Sequence, residues 1–266
     1  MARAWRLLID GDAPGPWNMG VDDALLVSAA RDGTATLRFY TWRGVWLSVG
    51  YAQAVSEFRR AACEAAGVGI VRRLTGGRAV LHGGDLTYAL AAPSELLPSG
   101  LRASYALVSN ALCEALRALD VSAERRPEGR AGEPAFDCFA LLAAEEICAG
   151  GRKLVGSAQR RAGGAVLQHG SIRFEPDPEW AGRAAASARG GATSLRELGV
   201  TQSLDEVRQA CVEALRLALG GVLEAGRLTD REHRCALESA RRREKEGAVE
   251  VRISPSGISR APLGNR

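Results

Sequence analysis

The sequence lacks the features that mark membrane, metal-binding and nucleotide-binding proteins. No apolar stretch approaches the roughly 18 residues of a membrane-spanning helix, and Asp10 interrupts the N-terminal apolar residues before a signal peptide could form. The six cysteines are scattered without metal-ligand spacing, and neither a Rossmann fingerprint nor a Walker A sequence occurs. We therefore expect a cytoplasmic protein with no metal and no cofactor.

The chain also has little net charge. Lys and Arg total 35 against 31 Asp and Glu, and much of the resulting +4 comes from arginines after residue 227. This excess is too small and too scattered to predict nucleic-acid binding, although a local basic patch would suit an acidic carrier domain. We expect neither nucleic acid nor membrane among the partners.

Length and periodicity predict one domain of mixed structure, alone or with a small subdomain. The chain has 266 residues, 46% of them hydrophobic, which is enough for one substantial core over residues 1–247. Residues 248–266 turn to Ser, Pro, Gly and Arg and are expected to be a poorly ordered tail. Strands and helices alternate without a regular βαβ rhythm, so we predict an α+β fold with a mixed, largely antiparallel sheet flanked by helices.

Several helix boundaries can be predicted. Asn18 is expected to cap a helix over 19–30, and apolar spacing predicts a long helix over 101–119. Ser203 and Thr229 each precede a glutamate by three residues, which is the spacing of a capping box at a helix start.

The segment over 72–82, RRLTGGRAVLH, is the most informative part of the sequence. Gly76 and Gly77 allow backbone conformations closed to other residues and a close approach to a ligand. Arg72 and Arg73 carry permanent charges and fixed donors that suit a carboxylate, phosphate or acyl carbonyl. A hairpin turn with solvated arginines is the alternative if the segment stands alone.

Two further segments follow in order, GRKLVGSAQR over 151–160 and LQHGSI over 167–172, and Cys138 lies fifteen residues before Lys153. Together with the first segment they resemble the lipoate-protein ligase and octanoyltransferase family, over about residues 5–174 and more weakly to about residue 245. The resemblance implies the biotin/lipoyl protein ligase catalytic fold. Both glycine-containing blocks are shared with ATP-dependent ligases and leave the reaction open. Cys138 stands where the octanoyltransferase branch carries its nucleophile, which favours acyl transfer.

The resemblance implies a reaction. Octanoyl would pass from octanoyl-acyl carrier protein to Cys138 as a thioester, and then to a lysine of a lipoyl-domain protein such as glycine cleavage H protein or a 2-oxoacid dehydrogenase E2. A thioester donor needs no ATP. The family assigns to the motif lysine, here Lys153, the lowering of the cysteine pKa, and neutral Lys153 could then accept a proton from the incoming lysine. An exposed turn lysine is the alternative, and Glu146 and Asp137 either orient Lys153 or are solvated.

The remaining site residues are expected to bind the acyl group. Arg72, Arg73, Gly76 and Gly77 would wall the acyl pocket and present donors to the carbonyl. Other residues lie in the shared segments and are expected to line the site: His82, Gly156, Ser157 and His169. The alternative for both histidines is a hydrogen-bonded structural role.

Three other functions stay open. An ATP-dependent lipoate ligase would not require Cys138, an amidotransferase would move the acyl group between two lipoyl domains, and a non-catalytic module would bind carriers without turnover. The chain departs from the family after Cys138, where FALLAAEE is more apolar than expected.

Overall fold

The computed structural model describes residues 4–126, 146–180 and 191–245. Their regular elements, apart from one 3-10 turn at Ser94–Leu96, are β1 (Ala4–Ala13), α1 (Gly15–Asp32), β2 (Thr36–Trp42), β3 (Trp46–Val49), α2 (Glu57–Ala65), β4 (Gly69–Arg72), β5 (Val80–His82), β6 (Asp85–Pro93), α3 (Leu101–Arg117), β7 (Ala123–Arg126), β8 (Glu146–Ala149), β9 (Arg152–Ala162), β10 (Ala165–Arg173), α4 (Leu204–Leu219), β11 (Val222–Ala225) and α5 (Asp230–Lys245). In this part of the chain, none of the helices is long and apolar enough to cross a membrane.

Eight strands form one sheet in the order β11-β1-β2-β6-β10-β9-β8-β7. The β11-β1 and β1-β2 pairs are parallel, and the other five pairs are antiparallel. A second sheet has the order β4-β3-β5, with β3 parallel to β4 and antiparallel to β5. The expected α+β fold with a mixed, largely antiparallel sheet is confirmed.

Helices cover both faces of the large sheet. Successive side chains of a strand point to opposite faces, and all nine residues of β6 are buried. Leu86, Tyr88 and Leu90 join one apolar core with residues of α3 and α4. Ala89 and Ala91 join a second core with residues of α1 and α5. Burial on both faces explains why β6 shows no polar alternation in the sequence.

The predicted start of the first helix is wrong. The helix α1 begins at Gly15 with Pro14 as its N-cap, and Pro16 follows in the first turn, where the missing N–H leaves no helical bond unmade. Asn18 is buried, and its Nδ2 donates to the carbonyls of Ala13 (3.1 Å) and Thr41 (3.0 Å). The asparagine therefore joins α1 to two strands instead of capping the helix.

The later helix predictions are confirmed. The long helix α3 covers Leu101–Arg117, and Ser203 forms a reciprocal capping box with Glu206 at the start of α4. Thr229 and Glu232 exchange the same pair of bonds before α5. The predicted tail over 248–266 lies outside the described residues.

Candidate active site

A cavity of about 400 Å³, including its open mouth, lies between the middle residues of β9 and β10 and the small sheet. The walls combine apolar side chains, glycines and a few polar groups, contributed by Met19, Tyr40, Trp42, Ser48, Arg73, Gly77, Val80, His82, Thr87, Gly156, Ser157, Ala158, His169, Gly170 and Ser171. The three sequence motifs therefore meet at one cavity.

Residues 73–79 connect β4 to β5, and we call them the motif loop. Glycine is required where this loop crosses the small sheet. Gly77 has φ +88°, in the left-handed region that favours glycine. A Cβ on Gly50 would lie 1.9 Å from the Gly77 carbonyl oxygen, so the two segments can pass only because Gly50 has no side chain. Gly77 lines the cavity, whereas Gly76 is exposed outside it.

The two motif arginines hold the loop. Arg73 is buried, and its Nη2 donates to the carbonyls of Gly76 (3.1 Å) and Arg78 (2.8 Å). Arg72 Nη1 donates to three carbonyls of the neighbouring turn, those of Gly50 (2.8 Å), Tyr51 (3.0 Å) and Gln53 (2.8 Å), and Arg72 does not line the cavity. Each guanidinium thus contacts backbone oxygens of the protein itself.

His82 lies in a buried network of hydrogen bonds. Its Nδ1 is 2.7 Å from Asp85 Oδ2, and its Nε2 is 2.7 Å from Ser48 Oγ. The ring stacks on Trp42, with centroids 3.9 Å apart and planes inclined by 14°. Trp42 Nε1 donates to Thr87 Oγ1 (2.8 Å), which donates to the same Asp85 oxygen (3.0 Å). One carboxylate therefore orients both stacked rings of the wall.

The direction of the protons in this network follows from Arg73. Its Nη1 donates to Ser48 Oγ (2.7 Å) and cannot accept. Ser48 Oγ therefore accepts from Arg73, and the Asp85 carboxylate accepts from His82 Nδ1. Burial acts to raise the pKa of Asp85, but the charge and hydrogen bond of His82, with Ser171 and the Gly83 amide, lower it below its usual value.

His169 has a parallel arrangement on the opposite wall. Its Nδ1 is 2.8 Å from Asp22 Oδ2 on α1, and its Nε2 is 2.6 Å from Thr75 Oγ1 in the motif loop. Arg38 Nη1 (2.8 Å) and the Tyr40 hydroxyl (3.0 Å) donate to Asp22. Burial acts to raise the pKa of Asp22, but the bond from His169 and the charge of Arg38 lower it. The network ties the motif loop to the first helix.

Ser157 and Gly156 form the wall on β9. Ser157 Oγ is 2.7 Å from the Tyr88 hydroxyl, and the Tyr105 hydroxyl donates to the Ser157 carbonyl (2.8 Å). A Cβ on the neighbouring Gly170 would lie 2.4 Å from Ser157 Oγ. The glycine therefore leaves room for the serine and the tyrosine.

Lys153 is fully buried and forms an ion pair with Glu146 of β8. Its amide donates to the Gly191 carbonyl (3.0 Å), and its carbonyl accepts from the Thr193 amide (2.9 Å). The alternative of an exposed turn lysine is wrong. Lys153 does not line the cavity; it precedes Gly156 by three residues, or about 10 Å along a strand.

Cys138 and Asp137 lie outside the described residues. Cys148 is described, and it pairs in register with Lys153 across β8 and β9. It is buried, and burial raises the pKa of its thiol despite the nearby Arg126 and Lys153. Cys148 therefore lacks the ionisation expected of a nucleophile.

Sequence reasoning missed several polar or aromatic residues of the site, among them Asp22, Trp42, Ser48 and Asp85. Asp22 and Ser48 are polar residues inside otherwise buried elements, which was the available signal. Their partners come from elements far apart in the sequence.

Comparison with known proteins gives the family. The model for the lipoyl protein ligase A/B catalytic domain matches residues 14–216. The chain belongs to this family. An octanoyltransferase LipM of Symbiobacterium thermophilum is 40% identical over 256 residues, covering 88% of this chain and 93% of the relative. An octanoyltransferase LipM of Kyrpidia tusciae is 38% identical over 257 residues, covering 88% and 94%.

Solved structures of the lipoyl protein ligase family have the same fold. A lipoate-protein ligase A bound with ATP superposes with a TM-score of 0.76 at 25% identity, covering 90% of this chain and 95% of the other. A bipartite lipoate protein ligase from Thermoplasma acidophilum gives 0.70 at 23% identity, covering 90% and 92%. The family and the catalytic fold expected from the three motifs are confirmed.

Proposed function

We propose that this chain is an octanoyltransferase, an acyltransferase that moves octanoyl from octanoyl-acyl carrier protein to a lysine of a lipoyl-domain protein in lipoate biosynthesis. The observation that carries the proposal is the 40% identity to an octanoyltransferase across 88% of the chain. The glycine-lined cavity and the buried lysine beside it support acyl transfer. The acceptor is a lipoyl-domain protein such as glycine cleavage H protein or a 2-oxoacid dehydrogenase E2.

The first half-reaction acylates the enzyme. The Cys138 thiolate attacks the thioester carbonyl, a new S–C bond forms, and the carrier S–C bond breaks. The carrier thiolate leaves and takes up the proton of the Lys153 ammonium, which becomes the neutral amine. Exchange between two thioesters is close to energetically neutral, so no nucleotide is consumed.

The second half-reaction transfers the acyl group. A lipoyl-domain lysine attacks the Cys138 thioester as the neutral amine, the N–C bond forms, and the S–C bond breaks to restore the thiolate. The proton lost by the amine passes to Lys153 in its neutral form. Amide formation from a thioester is downhill and drives the sequence.

Lys153 supports both steps through its burial. An ammonium inside the protein acts at a lower effective dielectric than in water, so it stabilises a nearby thiolate more strongly. The ion pair with Glu146 holds the amine, and the bonds of the Lys153 backbone to residues 191 and 193 fix the strand. The amine is thereby held away from bulk solvent before the donor binds.

The cavity supports binding of the fatty chain. Each buried methylene contributes about 0.8 kcal/mol, so an apolar wall favours a medium-length chain over a short one. The amides of the glycine loop are suited to stabilising the tetrahedral oxyanion, because Arg73 holds the Gly76 and Arg78 carbonyls on the other side of the loop.

The test is mass spectrometry of the protein after mixing with octanoyl-acyl carrier protein without ATP. The expected result is a hydroxylamine-labile octanoyl adduct on Cys138. Cys138→Ser should lose the adduct and the transfer, whereas Cys148→Ala, which removes the buried thiol opposite Lys153, should keep both. An adduct on Cys148 would contradict the assignment of the nucleophile.

Two donor controls separate the competing reactions. Activity with free octanoate and ATP, unaffected by Cys138→Ser, would show an ATP-dependent ligase. Activity with an octanoylated lipoyl domain, without any from octanoyl-acyl carrier protein, would show transfer between lipoyl domains. Either result overturns the proposed donor.

A further inference from the structure

Three of the segments that build the cavity contain no acidic residue. Asp and Glu total 31 in 266 residues, yet none occurs over 33–56, 65–84 or 147–174. These ranges hold β2 and β3, then β4 with the motif loop and β5, and finally β9 and β10. The two carboxylates behind the cavity, Asp22 and Asp85, are buried and hydrogen-bonded to histidines. Among the described residues, the charged side chains of these three ranges are therefore all positive.

Four residues lie in the segment over 72–82 or contact it, and we call them the rim: Tyr51, Arg72, Arg78 and Arg160. The Tyr51 amide donates to the Thr75 carbonyl (2.9 Å). Arg160 Nη1 donates to the Leu74 carbonyl (2.9 Å), and its guanidinium lies 5.2 Å from the centroid of the Tyr51 ring. These contacts join the rim to the loop whose Gly77 lines the cavity.

The rim arginines differ from three arginines on other parts of the surface that form ion pairs. Arg117 pairs with Glu114 (2.6 Å), Arg216 with Glu213 (2.6 Å) and Arg196 with Glu175 (3.3 Å). Within residues 4–126, 146–180 and 191–245, no carboxylate pairs with an arginine of the rim. The rim is therefore a positive surface, although the net charge of the whole chain is small.

We propose that the rim docks the acidic carrier protein that delivers the acyl group. This inference rests on the proposed function, because it assigns a surface to its donor. Arginines that have no carboxylate partner among the described residues keep a net positive charge, which attracts an acidic partner and raises its rate of association. Tyr51, which is 58% exposed, adds an aromatic anchor of the kind enriched at interface centres. Docking at the mouth brings the acyl arm of the carrier to the cavity that receives it.

The test compares two donors that differ only in the protein. Octanoyl-acyl carrier protein needs docking, whereas octanoyl-pantetheine is an uncharged donor with the same thioester. Arg160→Glu and Arg78→Glu are each expected to raise KM for the carrier about tenfold at low salt and to weaken the salt dependence of KM, because the attraction that salt screens has been removed. Neither should change kcat/KM for octanoyl-pantetheine by more than about twofold. Arg216→Glu on α4 is the matched charge reversal and should change neither donor.

The outcomes separate docking from chemistry. An unchanged KM for the carrier in both rim variants would overturn the docking surface. Slower transfer from pre-acylated enzyme to the lipoyl domain, with normal acylation, would overturn it in favour of an acceptor surface. If wild-type protein accepts neither donor, the proposed function fails. Calorimetry of Cys138→Ser with octanoyl-acyl carrier protein then still tests docking, and absence of binding overturns it.

Discussion

The buried histidines and the buried lysine of the site are held in different ways. His82 and His169 each lie between a hydroxyl and a carboxylate, and other donors also reach those carboxylates. Lys153 contacts the Glu146 carboxylate directly. The histidine networks fix the orientation of rings that form a wall, whereas the ion pair holds a positive charge in the protein interior. We infer that the networks determine the shape of the cavity and that the lysine determines the rate.

The largest effect is expected from Lys153→Met. Losing the buried amine should reduce acyl transfer about 1000-fold, because it stabilises the thiolate and accepts the proton. The substitution also leaves the buried Glu146 without its lysine partner. This loss should lower the free energy of unfolding by about 3 kcal/mol. The measurements are single-turnover transfer and urea unfolding. Lys245→Met, at the other of the two lysines in the sequence, is the control.

A double variant distinguishes a catalytic from a structural role for the lysine. Lys153→Met with Glu146→Leu replaces the buried pair by apolar side chains, which commonly restores stability. Stability should return and transfer should stay low. Recovery of both would show that Lys153 only supports the fold.

The next effect concerns stability, and it compares two neighbouring carboxylates of α1. Asp22→Asn should lower the unfolding free energy by about 3 kcal/mol, because Arg38, which is fully buried, loses one of its two carboxylate partners. Asp23→Asn should lower the free energy of unfolding by only about 1 kcal/mol. Burial raises the pKa of Asp23 in spite of Arg243, so the charge of this carboxylate contributes less to stability than that of Asp22. Urea unfolding of both variants measures the difference.

The pH dependence of these two variants has opposite sign. The pKa of Asp22 is lowered, so its contribution to stability is present above the unfolded pKa and is lost as pH falls through the folded pKa. The pKa of Asp23 is raised, so its contribution is present at low pH and is lost as pH rises through the folded pKa. Unfolding at a series of pH values should show the Asp22→Asn penalty shrinking in acid. A constant penalty would contradict the ionised state of Asp22.

Asp85→Asn is expected to change acyl selectivity. Asparagine cannot accept from all the donors that meet at Asp85, so the stacked Trp42 and His82 rings lose their common anchor. A fitted wall discriminates about fourfold per methylene, and the preference for octanoyl over hexanoyl should fall several-fold. Rates with hexanoyl, octanoyl and decanoyl donors measure this. Asp23→Asn controls for loss of a buried carboxylate, and equal selectivity in the two variants would refute the role.

The sequence predicted the parts of the site that are contiguous in the chain. The glycine pair at 76–77 and the strand over 152–162 carry their signal in neighbouring residues, and both reach the cavity or lie beside it. Partners from separate elements could not be predicted, because Asp22 and His169 are 147 residues apart. Their meeting depends on the packing of α1 against the sheet, which no local pattern encodes.

The same distinction explains the errors at single residues. Asn18 has the propensity of a cap, but the tertiary contacts with Ala13 and Thr41 make it an interior residue. Arg72 has the charge of a ligand-binding residue, yet it binds the carbonyls of the turn beside the loop. In both cases the residue type predicted that the side chain would form hydrogen bonds, but it did not predict which groups would be the partners.

The smallest effect is expected from Thr75→Val. The substitution keeps the shape of the buried side chain and removes the hydroxyl that meets His169 Nε2 (2.6 Å). One lost buried hydrogen bond costs about 1 kcal/mol, and the less restrained loop should raise KM for the acyl donor a few-fold with kcat nearly unchanged. Thr75→Ser restores the hydroxyl and should restore KM. If valine and serine give the same KM, the His169 network does not shape the cavity, and the contrast with Lys153 loses its basis.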